Sequence, residues 1–455
     1  MPALEEYELT EAEKLAKQQF RLYYKEAYFI PCDIDNIDVL PSWYDEEKYK
    51  RGQKYFQENR SGILTSNLIG LICLLAEPKG LKILSSTGKS STKETAKKRY
   101  LSTVLHTLKW YEIDLTPGSE SRKSLATVRK LHFAASNSAN EKKIGHITQT
   151  ELSLTAFGFM GLVLVRADIL GIHTDNQEDR EAFVHLWAVL CNLLGVQDKY
   201  NICLLRFDVL EILCQMFIRY VLIPIIQIEL PEFKQMTQCM LDGVGEILPH
   251  MDYESQLFSV KLVLGLPGYQ YKVGHDKALL CRSILNQNDI DDVNIFLRDI
   301  KTIDYFRYTI DIPIIEIHKI DKYTTTITNE IKQSDLDINK NINLNITNIE
   351  MNELEKKIHS NLQLSNTECI KIYYIDYEEE WMKCLNNDKF YQLSAKAQRI
   401  INFKSYGRTL LDYKIPRYLV HSFMSFLLNR IRKQSVKDNS NRNITKSKSE
   451  SILIK

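Results

Sequence analysis

No surplus of either charge marks this chain: 59 Lys and Arg stand against 58 Asp and Glu, for a net charge of +1. With no global field, overall charge recruits neither nucleic acid nor an anionic membrane, and a nucleic-acid partner is not expected. The nine cysteines form no C-x-x-C or C-x-x-C-H and no paired spacing. That pattern reads most simply as reduced, buried thiols in a reducing compartment. No basic segment followed by an apolar one opens the chain, so no secretory signal is expected. The sequons at Asn59 and Asn345 then read as accidental. No uninterrupted apolar run reaches the ~18–20 residues of a membrane-spanning helix. Residues 63–76 and 220–228 come nearest and read as buried helices, although docking on a membrane stays open.

Several catalytic signatures are also missing. There is no H-E-x-x-H, G-x-S-x-G or G-x-G-x-x-G, which removes the usual marks of a zinc hydrolase, an α/β-hydrolase and a dinucleotide fold. The stretch "ILSSTGKSS" imitates a phosphate loop, but Ile83 occupies the place of its first glycine. Without that glycine the backbone cannot wrap a phosphate, and the segment reads as a solvated turn. No repeat period suggests a solenoid.

What remains is a chain of 455 residues, 44% hydrophobic, dominated by helical patterning. We read it as all-α, with four parts: an irregular N-terminal arm (residues 1–44), a helical domain (45–270), a C-terminal extension (271–435) and a disordered tail (436–455). The extension contains a low-complexity insertion rich in Asn, Thr, Ile and Asp at 324–353. Residues 416–433 form an apolar helix edged with basic residues, suited to packing on the core or lying on a membrane surface.

Two helices declare their ends. Thr148 and Glu151 make a capping box, and Gly171 reads as the stop of the same helix. Between them "LSLTAFGFMGLVLVRADIL" is apolar on nearly every side, as in a helix at the centre of a bundle. Gly158 and Gly161 would let a second helix or a flat ligand approach closely. A further helix begins near Asp175, with Glu178 three places on, and closes at Gly195. A third, "CLLRFDVLEILCQMFIRYVLIPIIQI", is expected to break at Pro224.

The chemistry concentrates in two segments. In "TVRKLHFAASNSA" the residues Leu125, Val128, His132 and Ala135 share one helical stripe, which turns His132 inward. A buried imidazole needs partners for its nitrogens, and the neighbouring Arg129 disfavours the imidazolium. Neutral imidazole packs in a core and also binds metal, and this stretch alone leaves both readings open. In "KKRYLSTVLHTLKW", Arg99 and Thr103 stand one turn apart on one face. A guanidinium and a hydroxyl turned inward are costly to bury without a ligand. Arg99, Thr103, Arg129 and His132 thus form a polar cluster on two helices.

The R-x-x-x-T and V-R-x-L-H pieces are followed by "ITQTELSLTAFGFMGLVLVRADILGI" and "HLWAVLCNLLGV". In this order they resemble the rubber-oxygenase (latex-clearing protein) family, whose domain is shared with the ER-bound oxygenase of mycophenolate biosynthesis. The resemblance covers roughly residues 45–270. It implies a globin-like helical bundle holding a b-type haem, with His132 as axial iron ligand, Arg99 and Thr103 on the opposite, oxygen-binding side, and Arg129 beside the ligand. Arg122 and Arg129 would supply cations for the haem propionates. The implied chemistry is oxidative cleavage of isoprenoid double bonds with dioxygen.

Three features depart from the family's pattern. Ser102 stands where the rubber oxygenases carry lysine, Ser136 where they carry arginine, and no acidic residue matches their catalytic base, Glu94 being out of place. The expectation is therefore a haem-dependent oxidoreductase acting on a small isoprenoid or other lipid rather than on polyisoprene, in the cytoplasm or peripherally on the ER membrane. A haem-binding pseudoenzyme and a helical interaction protein without cofactor are the alternatives.

Overall fold

The computed structural model describes residues 8–32, 39–173, 175–266, 389–411 and 417–433, together with residues 268, 269, 284, 285, 289 and 415. The chain divides into two units, Met1–Ile295 with Lys371–Lys455, and Phe296–Ile370. The second unit lies outside the described residues, as do most of the 324–353 insertion's surroundings, the insertion itself and the tail from 436. Among the described residues the protein is all-α, with no strand and one isolated backbone bridge, Pro31 to Thr148.

Helix α1 (Glu11–Lys25) opens with a capping box in which Thr10 and Glu13 exchange hydrogen bonds. Its Ala16, Phe20, Tyr23 and Tyr24 fall at i, i+4, i+7 and i+8 and are fully buried. Phe20 and Tyr23 pack on Phe217 of α10 (Phe207–Phe217), with ring centroids 5.8 and 5.7 Å apart. The N-terminal arm is therefore built into the core. It is clamped further on by backbone bonds from Cys32 to Ile147 (2.8 Å) and from Gln149 to Ile30 (2.8 Å).

Next come α2 (Glu46–Glu58), α3 (Arg60–Leu75), α4 (Pro78–Ser86), α5 (Lys93–Glu112), α6 (Glu120–Glu141) and α7 (Gln149–Val165). Helix α7 is apolar all round and sits centrally, against α3, α9 (Gln177–Leu194) and α10. Its approach to α3 depends on two glycines. A Cβ at Gly70 would lie 1.9 Å from the Gly158 carbonyl oxygen, so Gly158 serves a helix–helix contact rather than a ligand. Gly171 does not end α7 itself. That helix stops at Arg166, and Gly171, at φ +66°, closes the short α8 (Ala167–Leu170) that follows.

Two sequence expectations change in the next segment. Pro224 does not break the helix: a widened π turn at Ile218–Leu222 joins α10 to α11 (Ile223–Ile228), and proline, which has no N–H to donate, falls directly after that turn. The continuous helix Phe207–Gln227 is then 21 residues long and apolar enough to cross a membrane, but 83% of it is buried within the protein. Burial at that level marks it as a core helix.

Helix α12 (Pro231–Gly245) packs on α5, and α13 (Tyr253–Val263) packs on α14 (Ala395–Leu411). The final helix, α15 (residues 417–433), returns to α3. Its Leu427, Leu428 and Ile431 are buried, His421 Nδ1 lies 3.0 Å from Ser61 Oγ, and Arg60 donates to Ser425 Oγ at 2.6 Å. Arg432 pairs with Glu112 at the end of α5.

Candidate active site

Helices α5 and α6 form an antiparallel pair closed by the turn at 113–119. Near that turn Lys109 pairs with Glu120 at 3.0 Å, Trp110 Nε1 donates to Ser124 Oγ at 2.9 Å, and His106 Nδ1 lies 2.7 Å from the same oxygen. Counting away from these contacts by whole turns leads to Thr103 and Arg99 on α5, and to Val128 and His132 on α6. The register of the hairpin therefore brings Arg99 and His132 together.

His132 is half-buried as a residue, yet its Nδ1 is completely shielded and has no hydrogen-bond partner. Burial, and secondarily the Arg99 charge, push its pKa down to about 4. The imidazole is therefore neutral at neutral pH. Leaving such a nitrogen unsatisfied costs about 1–3 kcal/mol, a cost that a ligand could remove.

Arg99 is held by an unexpected support. Its Nη1 donates to Thr87 Oγ1 at 3.1 Å and to Ser90 Oγ at 3.2 Å, and buried Ser90 lies 3.2 Å from Tyr100 OH. Both hydroxyls come from the turn that imitates a phosphate loop. Among the described residues Arg99 has no carboxylate partner, and burial lowers its pKa. Thr103 is half-buried one turn on, and its hydroxyl donates to the Arg99 carbonyl at 3.2 Å. The hydroxyl is thus satisfied within its own helix.

Arg129 and Arg122 lie on a neighbouring stripe, seven residues apart. Both are buried. Arg129 Nη1 donates to the Leu193 carbonyl at 3.4 Å, at the C-terminal end of α9, where a cation complements the helix dipole. Arg122 acts electrostatically on Tyr44. The structure thus brings Arg99, Thr103 and His132 to one place and turns Arg122 and Arg129 toward α9 and the segment before α2.

The departures from the family pattern have structural consequences. Ser102 and Glu94 are exposed, so neither reaches His132's side of the hairpin interior. Ser136, one turn beyond His132, is buried. Its Oγ accepts from Ile147 N–H at 3.0 Å and lies 3.2 Å from His146 Nδ1, tying α6 to the segment that enters α7.

Sequence reasoning also missed a buried acid. Glu77 caps α4, accepting from the backbone N–H groups of Lys79 and Gly80. Burial, then the nearby Glu151 carboxylate, raise its pKa to about 7 against those hydrogen bonds. Glu77-Pro78 is a legible helix start, but nothing local signals the burial. Among the described residues no group of three or more His, Cys, Asp or Glu could hold a metal ion.

Comparison with known proteins gives a family match. Residues 53–201 match the family described as ER-bound oxygenase mpaB/B′/rubber oxygenase, catalytic domain. This is the family that the order of the sequence motifs resembles, and the matched segment contains Arg99, Thr103, Arg122, Arg129 and His132. The match ends well short of the 45–270 span of the sequence resemblance. Among solved structures, the chain is similar to one described as latex clearing protein LCP in the closed state, at 18% identity. That similarity covers 67% of this chain and 84% of the other, with a TM-score of 0.37. No curated protein matches.

Proposed function

We propose, on the premise that residues 53–201 belong to an oxygenase catalytic domain of the mpaB/rubber-oxygenase family, that this protein is a haem b-dependent oxygenase. Its substrates are dioxygen and a small isoprenoid or other lipid. We further place it inside the cell, in the cytoplasm or peripherally on the ER membrane. The observation that carries the reading is the neutral, shielded and unpartnered Nδ1 edge of His132 opposite Arg99.

The residues present fit a haem in two respects. An imidazole that is neutral at neutral pH can ligate iron without first losing a proton. Arg99, held by two hydroxyls and, among the described residues, by no carboxylate, keeps its charge free to act on a polar or anionic group beside it. Bound there, haem would supply the capacity to bind and activate dioxygen, which no amino-acid side chain provides.

The chain's own contribution is orientation and electrostatics. Thr87 and Ser90 fix the Arg99 guanidinium, so that it can donate hydrogen bonds without reorganising. Thr103 sits one turn on, its hydroxyl free to exchange the Arg99 carbonyl for a substrate or oxygen atom. Ser136 holds α6 in place behind His132 through its bonds to the 146–147 segment. Arg129 anchors the same helix from the side of α9; as propionate partners Arg129 and Arg122 would need to turn from the contacts they make.

Exposed Ser102 offers no amine to cap an iron, and Ser136 replaces a cation with a structural hydroxyl. These two positions favour a small lipid over polyisoprene, and they also support the second reading, a haem-binding protein without turnover. Oxygen uptake by the haem-loaded protein, measured across a panel of isoprenoids and other lipids, divides the two. Substrate-dependent uptake lost in Thr103→Val supports the oxygenase. Haem binding with no uptake on any lipid supports the non-catalytic reading.

A further inference from the structure

Helix α15 has one face committed to the core and one that is solvent-exposed among the described residues. The inner face buries Leu427, Leu428 and Ile431 and is pinned to α3 through His421 and Ser425 and to the end of α5 through Arg432. The outer face carries Tyr418, Leu419, Phe423 and Phe426, which are 72, 61, 55 and 57% exposed, with Ile415 at 77% just ahead of them. Within α15, Leu419, Phe423 and Phe426 fall at i, i+4 and i+7 with Tyr418 beside them, so these side chains share one helical face, which also carries exposed Ser422. The Phe423 and Phe426 rings stack at 6.5 Å. Neighbouring α14 exposes Phe403 and Tyr406 at 62 and 73%, with exposed Arg399 one turn before Phe403.

The charge on α15 identifies what such a face would meet. Arg417 lies at its start, and exposed Arg430 and Lys433 at its end. No Asp or Glu occurs between residues 415 and 433. A second copy of the same face would bring basic end against basic end in either direction, since both ends carry cations. An aromatic and aliphatic stripe with cations at its ends and no carboxylate is complementary to a layer that is apolar inside and anionic at its surface.

We infer that the outer face of α15 docks on an anionic lipid bilayer, with Tyr418, Leu419, Phe423 and Phe426 entering the headgroup–acyl boundary and Arg430 and Lys433 engaging lipid phosphates or carboxylates. The inner face stays on α3, so docking needs no unfolding of the helix. Within the function proposed above, this deepens only the peripheral membrane location, naming the face and the lipid class. It does not depend on haem.

The test is co-sedimentation of the full chain with phosphatidylcholine vesicles, with and without phosphatidylserine. The wild type should bind the serine-containing vesicles and bind pure phosphatidylcholine at least about tenfold more weakly, with binding to the former falling as salt rises. Phe423→Ser with Phe426→Ser should reduce binding about tenfold or more. Arg430→Glu with Lys433→Glu should do the same while leaving the aromatic stripe whole. Both pairs replace exposed side chains, and circular dichroism confirms that the helices are retained. Three results would overturn the inference: no binding of the wild type to phosphatidylserine vesicles, unchanged binding by both double variants (which assigns it to another segment), or a wild-type dimer in solution that the phenylalanine substitutions dissociate. Because vesicle binding is read without haem, its failure leaves the oxygenase reading standing, and a protein that binds no haem leaves this one standing.

Discussion

Arg99 on α5 stands across the α5–α6 hairpin from His132 on α6, and its charge adds to burial in holding the imidazole neutral. Each is held by its own supports: Thr87 and Ser90 fix the guanidinium, while Ser136 fixes the helix just beyond the imidazole.

Replacing that guanidinium tests the relationship. In haem-free Arg99→Met the His132 imidazole should titrate above its value of about 4 but still below 6.5, because burial, the larger cause, remains. NMR titration of the His132 ring measures it. Under the proposed function the same variant loses about tenfold or more of its oxygen-dependent turnover. An unmoved titration would show that the charge at Arg99 is not felt at the imidazole.

The α3–α7 contact is a packing claim with no catalytic content. Gly70→Ala forces a methyl group against the Gly158 carbonyl, and the helices must separate. Thermal melting should drop by several degrees, consistent with an overpacking cost of about 1–3 kcal/mol or more. A melting temperature equal to that of the wild type would mean that the two helices do not meet at these glycines.

Glu77 gives stability a pH dependence of definite sign. Its folded pKa, about 7, lies above the ordinary value of 4.5, so the protonated carboxyl is the form the fold favours. That contribution is complete below 4.5 and is lost as pH rises through 7. Melting temperature should therefore decline between about pH 6.5 and 8, above the range in which His132 acts, and Glu77→Gln should flatten the decline. His132 works in the other direction: its lowered pKa withdraws stability from the haem-free protein as pH falls from 6.5 toward 4. Glu77→Gln should leave that acid limb in place. A wild-type profile that rises from about pH 6.5 to 8 and is unchanged in Glu77→Gln would contradict the assignment.

Much of the fold is written in local pattern. The Thr148–Glu151 capping box, the apolar circumference of α7 and the glycine closing α9 are short-range signals, and each has its counterpart in the structure. The rest depended on distant partners. Whether α1 would join the core rested on Phe217, almost two hundred residues away. Pro224 reads as a helix break until the π turn before it shifts the register. At the site, the spacing of Arg99 and Thr103 and the stripe holding His132 were legible in the sequence, because helical periodicity fixes faces. The role of the 87–91 turn was not, since excluding it as a phosphate loop says nothing about the arginine that it supports. Burial of Glu77 beside Glu151 is likewise a tertiary outcome.

The visible spectrum of the full-length protein after haem addition, compared with that of His132→Ala, tests the central claim most directly. The account predicts a Soret band of histidine-ligated haem in the wild type, and its loss or a clear shift in the variant, while the far-ultraviolet circular dichroism of the two proteins stays the same. A wild type that takes up no haem, or a His132→Ala protein with the same band and the same iron coordination, would contradict it.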